Sequence, residues 1–216
     1  GMKRLLQIIV YLIIFLIENI DAKIIYDFNH GKNINDWFVV DDVVMGGASL
    51  GSFSLDKDGN GLYSGYVSLE NYGGFSSVRC KQKEVEIDKY KYIVIKVFGD
   101  NKFYQLRIRS KNYDRHVFVK NIYVKNEWEE IKIPLNSMEP QFRGRKLKMR
   151  NFNSDSIVEL GILIGNKVEE NFSLKIDYIA FEWILVKKYI KFHLHRSYVF
   201  GIIYRFFNKI EDLILK

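Results

Sequence analysis

The sequence predicts an all-β fold, a sandwich or jelly roll of antiparallel strands, on three observations. Of its 216 residues 48% are hydrophobic and 15% aromatic, with only two prolines, and such residue types fit the pleated, half-buried surface of a sheet. Between Gly51 and Phe181 short apolar segments alternate with clusters of Gly, Asn and Asp, and no stretch keeps a long helical period. Many short strands separated by turn signals are typical of sandwiches and jelly rolls.

Eight segments carry the strand pattern most clearly. Leu106 and Ile108 alternate with two arginines, so one face of that segment points to a core and the other away from it. Turn chemistry stands at residues 58–61, Asp-Gly-Asn-Gly, and at residues 99–101, Gly-Asp-Asn. The predicted strands are residues 24–28, 61–69, 92–98, 104–110, 116–123, 128–133, 156–164 and 172–181.

Residues 1–22 predict a signal peptide or a membrane anchor. Lys3 and Arg4 precede an apolar run over residues 5–17, broken only by Gln7. This run is short against the ~20 residues of a spanning helix and better fits the apolar region of a signal. Ala22 offers a cleavage point, and an uncleaved anchor is the alternative. We therefore expect an exported or membrane-associated protein of the periplasm or cell envelope.

Residues 183–216 predict a basic amphipathic helix. They carry +5 of the total net charge of +7, whereas residues 23–182 carry only +2, so the body gives no reason to expect nucleic acid. Two interpretations stay open: residues 184–216 lie on a membrane surface, or the apolar face packs on the sandwich or a partner. Apolar residues at helical spacing are Val199, Ile202, Ile203, Phe206, Ile210, Leu213 and Ile214.

Residues 23–182 are expected to form one jelly-roll domain without cofactor or metal. The single cysteine, Cys80, excludes an internal disulfide and fits a buried strand position. No C-x-x-C, H-E-x-x-H, P-loop or G-x-G-x-x-G motif occurs in the sequence.

Two segments carry the functional signal: residues 37–49, WFVVDDVVMGGAS, and residues 65–79, GYVSLENYGGFSSVR. Paired glycines in each segment permit positive φ and close backbone approach, as in tight turns beside a site. The candidate ligand- or partner-binding residues, none of them catalytic, are Trp37, Asp41, Asp42, Met45, Gly46, Gly47, Ser49, Asn71, Gly73, Gly74, Phe75, Ser77, Arg79 and Arg143.

These segments resemble the signature of the complex I intermediate-associated protein 30 family, W-x-x-x-x-D-x-x-M-G-G-x-S followed by G-x-x-S-x-E-N-x-G-G-F-x-S-x-R. Residues 99–109, 128–134, 140–145 and 172–179 resemble its later landmarks, so the likeness covers residues 26–182 in order. The resemblance implies a galactose-binding-like β-sandwich. It also implies a role related to that of the founding mitochondrial members, which assist assembly of respiratory complex I.

Two functions follow from this resemblance. The first is a non-catalytic assembly-factor module that grips a protein partner, respiratory-chain subunits among the candidates, through the loops around 41–49 and 71–79. The alternative is an exported carbohydrate-binding module of the cell envelope, since that fold is shared with such modules, and its ligand would be a glycan.

Structural interpretations stand beside the functional ones for each group of residues. Asp41 paired with Arg79 would fix the loops to the sandwich, whereas the same groups at the surface would meet a ligand or partner. Trp37, Phe75 and Trp128 are expected in the core rather than as sugar platforms. Arg143 is expected in an exposed, solvated loop.

Residues 47–51 spell G-x-S-x-G, the string of a hydrolase nucleophile elbow. That chemistry needs a helix after the serine and a histidine downstream, but residues 52–55 alternate as a strand does, and His116 is the only later histidine of the body. We therefore expect no enzyme.

Overall fold

The computed structural model describes residues 22–28 and 34–182, and every structural statement below concerns them. These residues form thirteen β-strands and four short 3-10 turns, without an α-helix. The turns are Ile34–Asp36, Asp42–Met45, Glu70–Tyr72 and Leu135–Ser137. The strands are β1 (Lys23–Asp27), β2 (Trp37–Asp41), β3 (Leu50–Leu55), β4 (Gly61–Val67), β5 (Ser76–Glu86), β6 (Tyr92–Phe98), β7 (Lys102–Arg109), β8 (Val117–Val124), β9 (Trp128–Pro134), β10 (Glu139–Phe142), β11 (Arg145–Lys146), β12 (Ser156–Ile164) and β13 (Glu170–Glu182).

The strands build two antiparallel sheets. The first runs β3-β4-β13-β6-β9, and β1 pairs with the second half of β13, on the side that β4 occupies along the first half. The second runs β11-β10-β8-β7-β12-β5-β2. One cluster of buried hydrophobic side chains takes members from both sheets. This arrangement confirms the predicted all-β sandwich.

Alternation along the strands decides which side chains enter the core. Leu106 and Ile108 of β7 are buried, while Arg107 between them points to the opposite face. Cys80 of β5 is fully buried between Trp37 of β2 and Leu160 of β12. Burial raises the pKa of its thiol to about 12, so Cys80 is the inert strand residue that its sequence context predicts.

Both predicted turns adopt the expected backbone. Gly59 has a φ of 87° between β3 and β4, and Asn101 a φ of 62° between β6 and β7. The carboxylate of Asp56 accepts hydrogen bonds from the backbone amides of Asp58 and Asn60, each at 2.9 Å. Such local acceptance is how Asp stabilises a tight turn.

The predictions for residues 1–22 and 183–216 fall outside the described residues, except for Ala22. Within residues 22–28 and 34–182, no helix has the length and apolar character needed to cross a membrane.

Candidate functional site

Three connections that cross between the two sheets meet at one end of the sandwich. Residues 42–49 lead from β2 to β3, residues 68–75 from β4 to β5, and residues 165–169 from β12 to β13. The register places them together, since β2 pairs with β5 and β3 with β4. Gly165 lies against the carbonyl of Gly74. The two motifs of the sequence therefore occupy neighbouring loops.

Asp42 is the centre of these loops. Its side chain is fully buried. One carboxylate oxygen accepts from the amide of Ser49 at 2.9 Å. The other accepts from the Ser49 hydroxyl at 2.6 Å and from the amides of Gly74 and Phe75 at 2.5 and 3.2 Å. One side chain of the first motif thus binds the backbone of the second.

The hydrogen bonds keep the Asp42 carboxyl ionised in spite of its burial. Burial opposes ionisation, yet the donors of Ser49, Gly74 and Phe75 outweigh it and lower the pKa of Asp42 below its ordinary value. A carboxylate that accepts several backbone amides is stabilised in its charged form. The charge is satisfied inside the protein, so its role is to hold the loops.

Ser49 extends the connection to the end of β4. Its hydroxyl donates to Asp42 and accepts from the amide of Ser68 at 2.9 Å. Ser49 is fully buried and leads directly into β3 rather than into a helix. The G-x-S-x-G string therefore has a buried serine held by a carboxylate, which is not the exposed geometry of a nucleophile elbow.

Each glycine pair supplies two different properties. Gly46 and Gly74 have φ angles of 92° and 129°, a backbone region that side chains disfavour. A Cβ on Gly47 would stand 2.4 Å from the carboxyl carbon of Asp42, and one on Gly73 2.5 Å from a carboxylate oxygen. One member of each pair makes the turn, and the other lets Asp42 approach.

Asp41 forms a second, smaller connection. It accepts from the amide of Gly51 at 2.8 Å and from the hydroxyl of Ser76, which in turn accepts from Tyr63. The predicted pairing of Asp41 with Arg79 is wrong. Arg79 donates instead to the hydroxyl of Ser77 and points out of the second sheet, since its neighbours Val78 and Cys80 point inward.

The outside of the loops is apolar. Val44, Met45 and Leu50 are 74%, 66% and 69% exposed, and the ring of Tyr72 is fully exposed. Leu50 pairs with Tyr66 across β3 and β4, and Leu69 lies beside Gly74. We call this the loop surface, defined by Val43, Val44, Met45, Leu50, Leu69 and Tyr72.

The other candidate residues divide between the core, the loops and distant positions. Trp37 is buried against Tyr26, Phe28 and Phe53, as expected of a core residue. Its neighbours in the motifs lie elsewhere: Phe75 is half-buried, Asn71 is exposed at a positive φ of 53°, and Ser77 is buried on β5.

Trp128 departs from its expected place in the core, and Arg143 lies apart from the other candidate residues. Trp128 is not a core residue: it is 43% exposed at the edge strand β9, where its ring contacts Phe98. Arg143 is exposed, as expected, in the turn between β10 and β11 and lies over the ring of Phe142. β10 stands five strands from β2 in the second sheet, so Arg143 is not part of the loop site.

Several residues of this site are absent from the candidates drawn from sequence. Ser68, Ser76 and Tyr63 complete the hydrogen bonds, and Val43, Val44, Leu50, Leu69 and Tyr72 complete the loop surface. Ser68 stands inside the second motif and carried a usable signal. The run Val43-Val44-Met45 has an ordinary apolar pattern, which does not reveal exposure.

Among the described residues, no group of three or more His, Cys, Asp and Glu side chains is placed to hold a metal ion. The carboxylates of Asp41 and Asp42 at the loop end accept hydrogen bonds from backbone amides and serine hydroxyls.

The sequence model of the family described as complex I intermediate-associated protein 30 matches residues 26–176. The mitochondrial complex I intermediate-associated protein 30 of Mus musculus is 23% identical over 189 residues, which cover 74% of this chain and 56% of the relative. The chain thus spans about half the length of the curated relative it matches.

Among solved structures, a family 11 carbohydrate-binding module from Clostridium thermocellum, in complex with a mixed-linked tetrasaccharide, is similar with a TM-score of 0.61 and 16% identity. The match covers 77% of this chain and 98% of that one. A family 11 module from a cellulosomal cellulase of the same organism matches with a TM-score of 0.60 and 16% identity, over 77% of this chain and 96% of that one. At these identities the likeness shows the sandwich fold alone.

Proposed function

The chain belongs to the complex I intermediate-associated protein 30 family, and on that premise we propose that its sandwich is a protein-binding module serving assembly of a multi-subunit complex rather than catalysis. The observation that carries the proposal is the loop surface: six exposed apolar side chains, five on two adjoining loops and Leu50 at the start of β3, where a buried carboxylate fixes the loops together.

An exposed apolar patch needs a partner to cover it. Contiguous apolar surface is limited on monomeric proteins, and where it occurs it commonly marks an interaction site. Met and aromatic side chains such as Met45 and Tyr72 are enriched at protein interfaces. Because the hydrogen bonds of Asp42 already order the loops, little conformational entropy remains to be lost on docking.

The name of the mouse relative connects it with complex I. We extend this to the present chain as a proposal that its partner is a respiratory-chain subunit. A binding role also agrees with the buried Ser49, whose hydroxyl is held by Asp42 and Ser68 and offers no exposed nucleophile.

The test compares two triple variants of the full chain, each recovered from its native cells after in-cell crosslinking. The first replaces Val44, Met45 and Tyr72 by Ser. The control replaces Leu55, Tyr113 and Met149, which are exposed apolar residues outside the loop surface. Both variants leave the core intact, so the free energy of unfolding of each should lie within about 0.5 kcal/mol of that of the parent protein.

We expect the parent and the control to enrich the same respiratory-chain subunits by mass spectrometry, and the loop variant to lose at least about tenfold of that enrichment, since central apolar contacts dominate interfaces. Equal enrichment by all three proteins would contradict the proposal. Enrichment of envelope proteins in place of respiratory subunits would reject the respiratory partner while retaining the docking surface.

A second function, carbohydrate binding, is favoured by a different surface. On the outer face of the second sheet, Phe103 and Tyr123 form an exposed edge-to-face pair, next to the hydrogen-bonded amides of Gln105 and Asn121. Sugars stack on aromatic faces and bond to amides. A glycan array would support this function if its hits disappear in Tyr123→Ala, and an array without hits would reject it.

We also propose that the protein is exported. In this proposal a galactose-binding-like jelly roll follows an N-terminal signal or anchor, and residues 184–216 form a basic helix on the membrane surface. It is supported by the sequence pattern of residues 1–22 and by the basic tail. Mass spectrometry of the native protein should find Lys23 as the first residue. An N-terminus upstream of the apolar run would instead indicate an uncleaved anchor.

A further inference from the structure

A row of arginines crosses the outer face of the second sheet, away from the loop surface. In register, Arg79 of β5 pairs with Gly161 of β12, and Gly161 pairs with Arg107 of β7. The flanking residues of all three strands are buried in the core, so these three positions point outward. The buried flanking residues are Val78, Cys80, Leu160, Ile162, Leu106 and Ile108.

Gly161 has no side chain, so the stem of Arg79 lies against it: a Cβ on Gly161 would stand 3.4 Å from Cγ of Arg79 and 3.1 Å from the carbonyl oxygen of Val78. Neighbouring strands stand about 4.8 Å apart, so the Cα atoms of Arg79 and Arg107 are separated by roughly 10 Å. At that separation both guanidinium groups can reach one small group that lies outside the sheet between them. Both arginines are half-buried, which holds their stems against the sheet rather than in open solvent.

Positive charge exceeds negative charge on the outer face around Gly161. Two residues along the same strands, Arg109 pairs with Glu159, and their side chains lie 3.4 Å apart. Lys81 stands opposite Glu159 on its other side. Farther along the sheet Glu139 bonds to Lys146 at 2.6 Å. Glu159 is therefore shared among several cations, and Arg79 and Arg107 face each other as like charges.

The pKa values of Arg107 and Arg79 reflect this excess of positive charge. Burial first, and then the neighbouring Arg79, lower the pKa of Arg107 to about 10. Burial likewise lowers the pKa of Arg79, and Arg109 lowers it further, while Glu159 offsets part of the lowering for both Arg79 and Arg107. Both guanidiniums remain protonated at neutral pH but carry a desolvation cost that an opposite charge would remove.

We propose that Arg79 and Arg107 bind an oxoanion above Gly161. A guanidinium donates two parallel hydrogen bonds to the oxygens of a carboxylate or phosphate. The Nε of Arg79 donates to Ser77 Oγ at 3.3 Å, which orients that guanidinium on the sheet. The site is separate from the loop surface and does not depend on the proposed docking function.

The oxoanion has two sources of the same chemistry: a free anion, or an acid group on a sugar. The aromatic pair Phe103 and Tyr123 lies along the same face. The pair Gln105 and Asn121 stands two residues from Arg107 along β7, and the aromatic pair stands two residues farther. A sugar acid would reach both the arginines and these rings, whereas a free anion would use the arginines alone.

The test titrates the full chain by calorimetry with inorganic phosphate, with trigalacturonate and with neutral maltotriose. The variants are Arg107→Gln, Arg79→Gln and Arg107→Lys, and the matched control is Arg145→Gln, an exposed arginine of edge strand β11. Thermal melting shows whether each variant is folded. If Arg107→Gln does not fold, Arg79→Gln alone tests the site.

We expect saturable binding of at least one oxoanion, weakened at least about tenfold in Arg107→Gln and Arg79→Gln and unchanged in Arg145→Gln. Arg107→Lys should weaken binding nearly as much, because lysine keeps the charge but not the bidentate geometry. Binding of phosphate assigns a free anion, and binding of trigalacturonate alone assigns a sugar acid. Failure of both probes to bind, or equal loss in Arg145→Gln, overturns the site.

Discussion

The loop end and the outer face of the second sheet handle buried charge in opposite ways. Asp42 is fully buried, and four hydrogen bonds from Ser49, Gly74 and Phe75 neutralise the cost. Arg107 is half-buried beside another arginine, with Glu159 shared among its neighbours. The difference teaches that a charge satisfied within the chain builds structure, whereas one left among like charges is available to a ligand.

At the loop end, then, the charge is not the binding group. Asp42 joins the backbones of two loops, and the apolar side chains on their outer surface offer the contact. On the sheet, the strands provide rigidity and the charged side chains offer the contact. Substitution of the charged side chain should therefore affect stability at the loop end and binding on the sheet.

The largest effect is expected for Asp42→Ala. It removes the acceptor of four buried donors, and unpaired buried groups are costly, so we expect a loss of about 3–5 kcal/mol in the free energy of unfolding. Urea denaturation of the full chain measures it. Asp58→Asn, an exposed carboxyl of the β3–β4 turn, is the control and should change stability by less than about 0.5 kcal/mol. A loss below about 1 kcal/mol in Asp42→Ala would show that the loops do not depend on Asp42.

A smaller effect is expected where a methyl group meets Asp42. Gly47→Ala would place Cβ 2.4 Å from the carboxyl carbon, which must shift. Gly144→Ala is the control: it has a φ of 75° but nothing within 4 Å. We expect about 1–2 kcal/mol of loss at Gly144 from backbone strain and about 2–4 kcal/mol at Gly47. Equal losses at both positions would remove close approach to Asp42 as the reason for the glycine.

The smallest effect is expected in the pH dependence of the free energy of unfolding. The folded-state pKa of Asp42 lies below its ordinary value of 3.8, so its contribution to stability is complete about one pH unit above that value and falls as the pH drops from there through the folded pKa. The stability difference between the parent and Asp42→Asn should therefore be constant from pH 7 to about 5 and shrink below it. Denaturation series at each pH measure this. A difference that already shrinks above about pH 5 would mean that the pKa is raised, not lowered.

Much of the fold is predictable because one physical signal, the alternation of apolar and polar residues, decides the core face of a strand. It identifies β7, where Leu106 and Ile108 enter the core, and turn chemistry places the bends at Gly59 and Asn101. β5 is less visible, since its second half carries charged residues and its ladder with β12 has an irregularity. Trp128 is exposed because it pairs with Phe98, whose neighbour Val97 enters the core, so both rings point to the outer face of the first sheet. That register depends on pairing between strands far apart in sequence.

The sequence predicts which residues belong to the candidate site, but not which hydrogen bonds join them. The motifs contain Asp42, Ser49 and both glycine pairs, and the resemblance to the family brings them together. That Asp42 rather than Asp41 spans the two loops, and that Arg79 points to another face, depends on register between strands far apart in sequence. The loop surface could not be predicted, because Val44 and Met45 have the composition of a core segment.

The central claim, that the loop surface docks a protein partner, is tested most directly by photo-crosslinking in the native cells. A benzophenone amino acid replaces Tyr72 on the loop surface or, in a second strain, Tyr113, which is 82% exposed outside it. The account predicts a discrete crosslink from position 72 to one respiratory-chain subunit and no crosslink from position 113. No crosslink from position 72, or the same products from both positions, would contradict it.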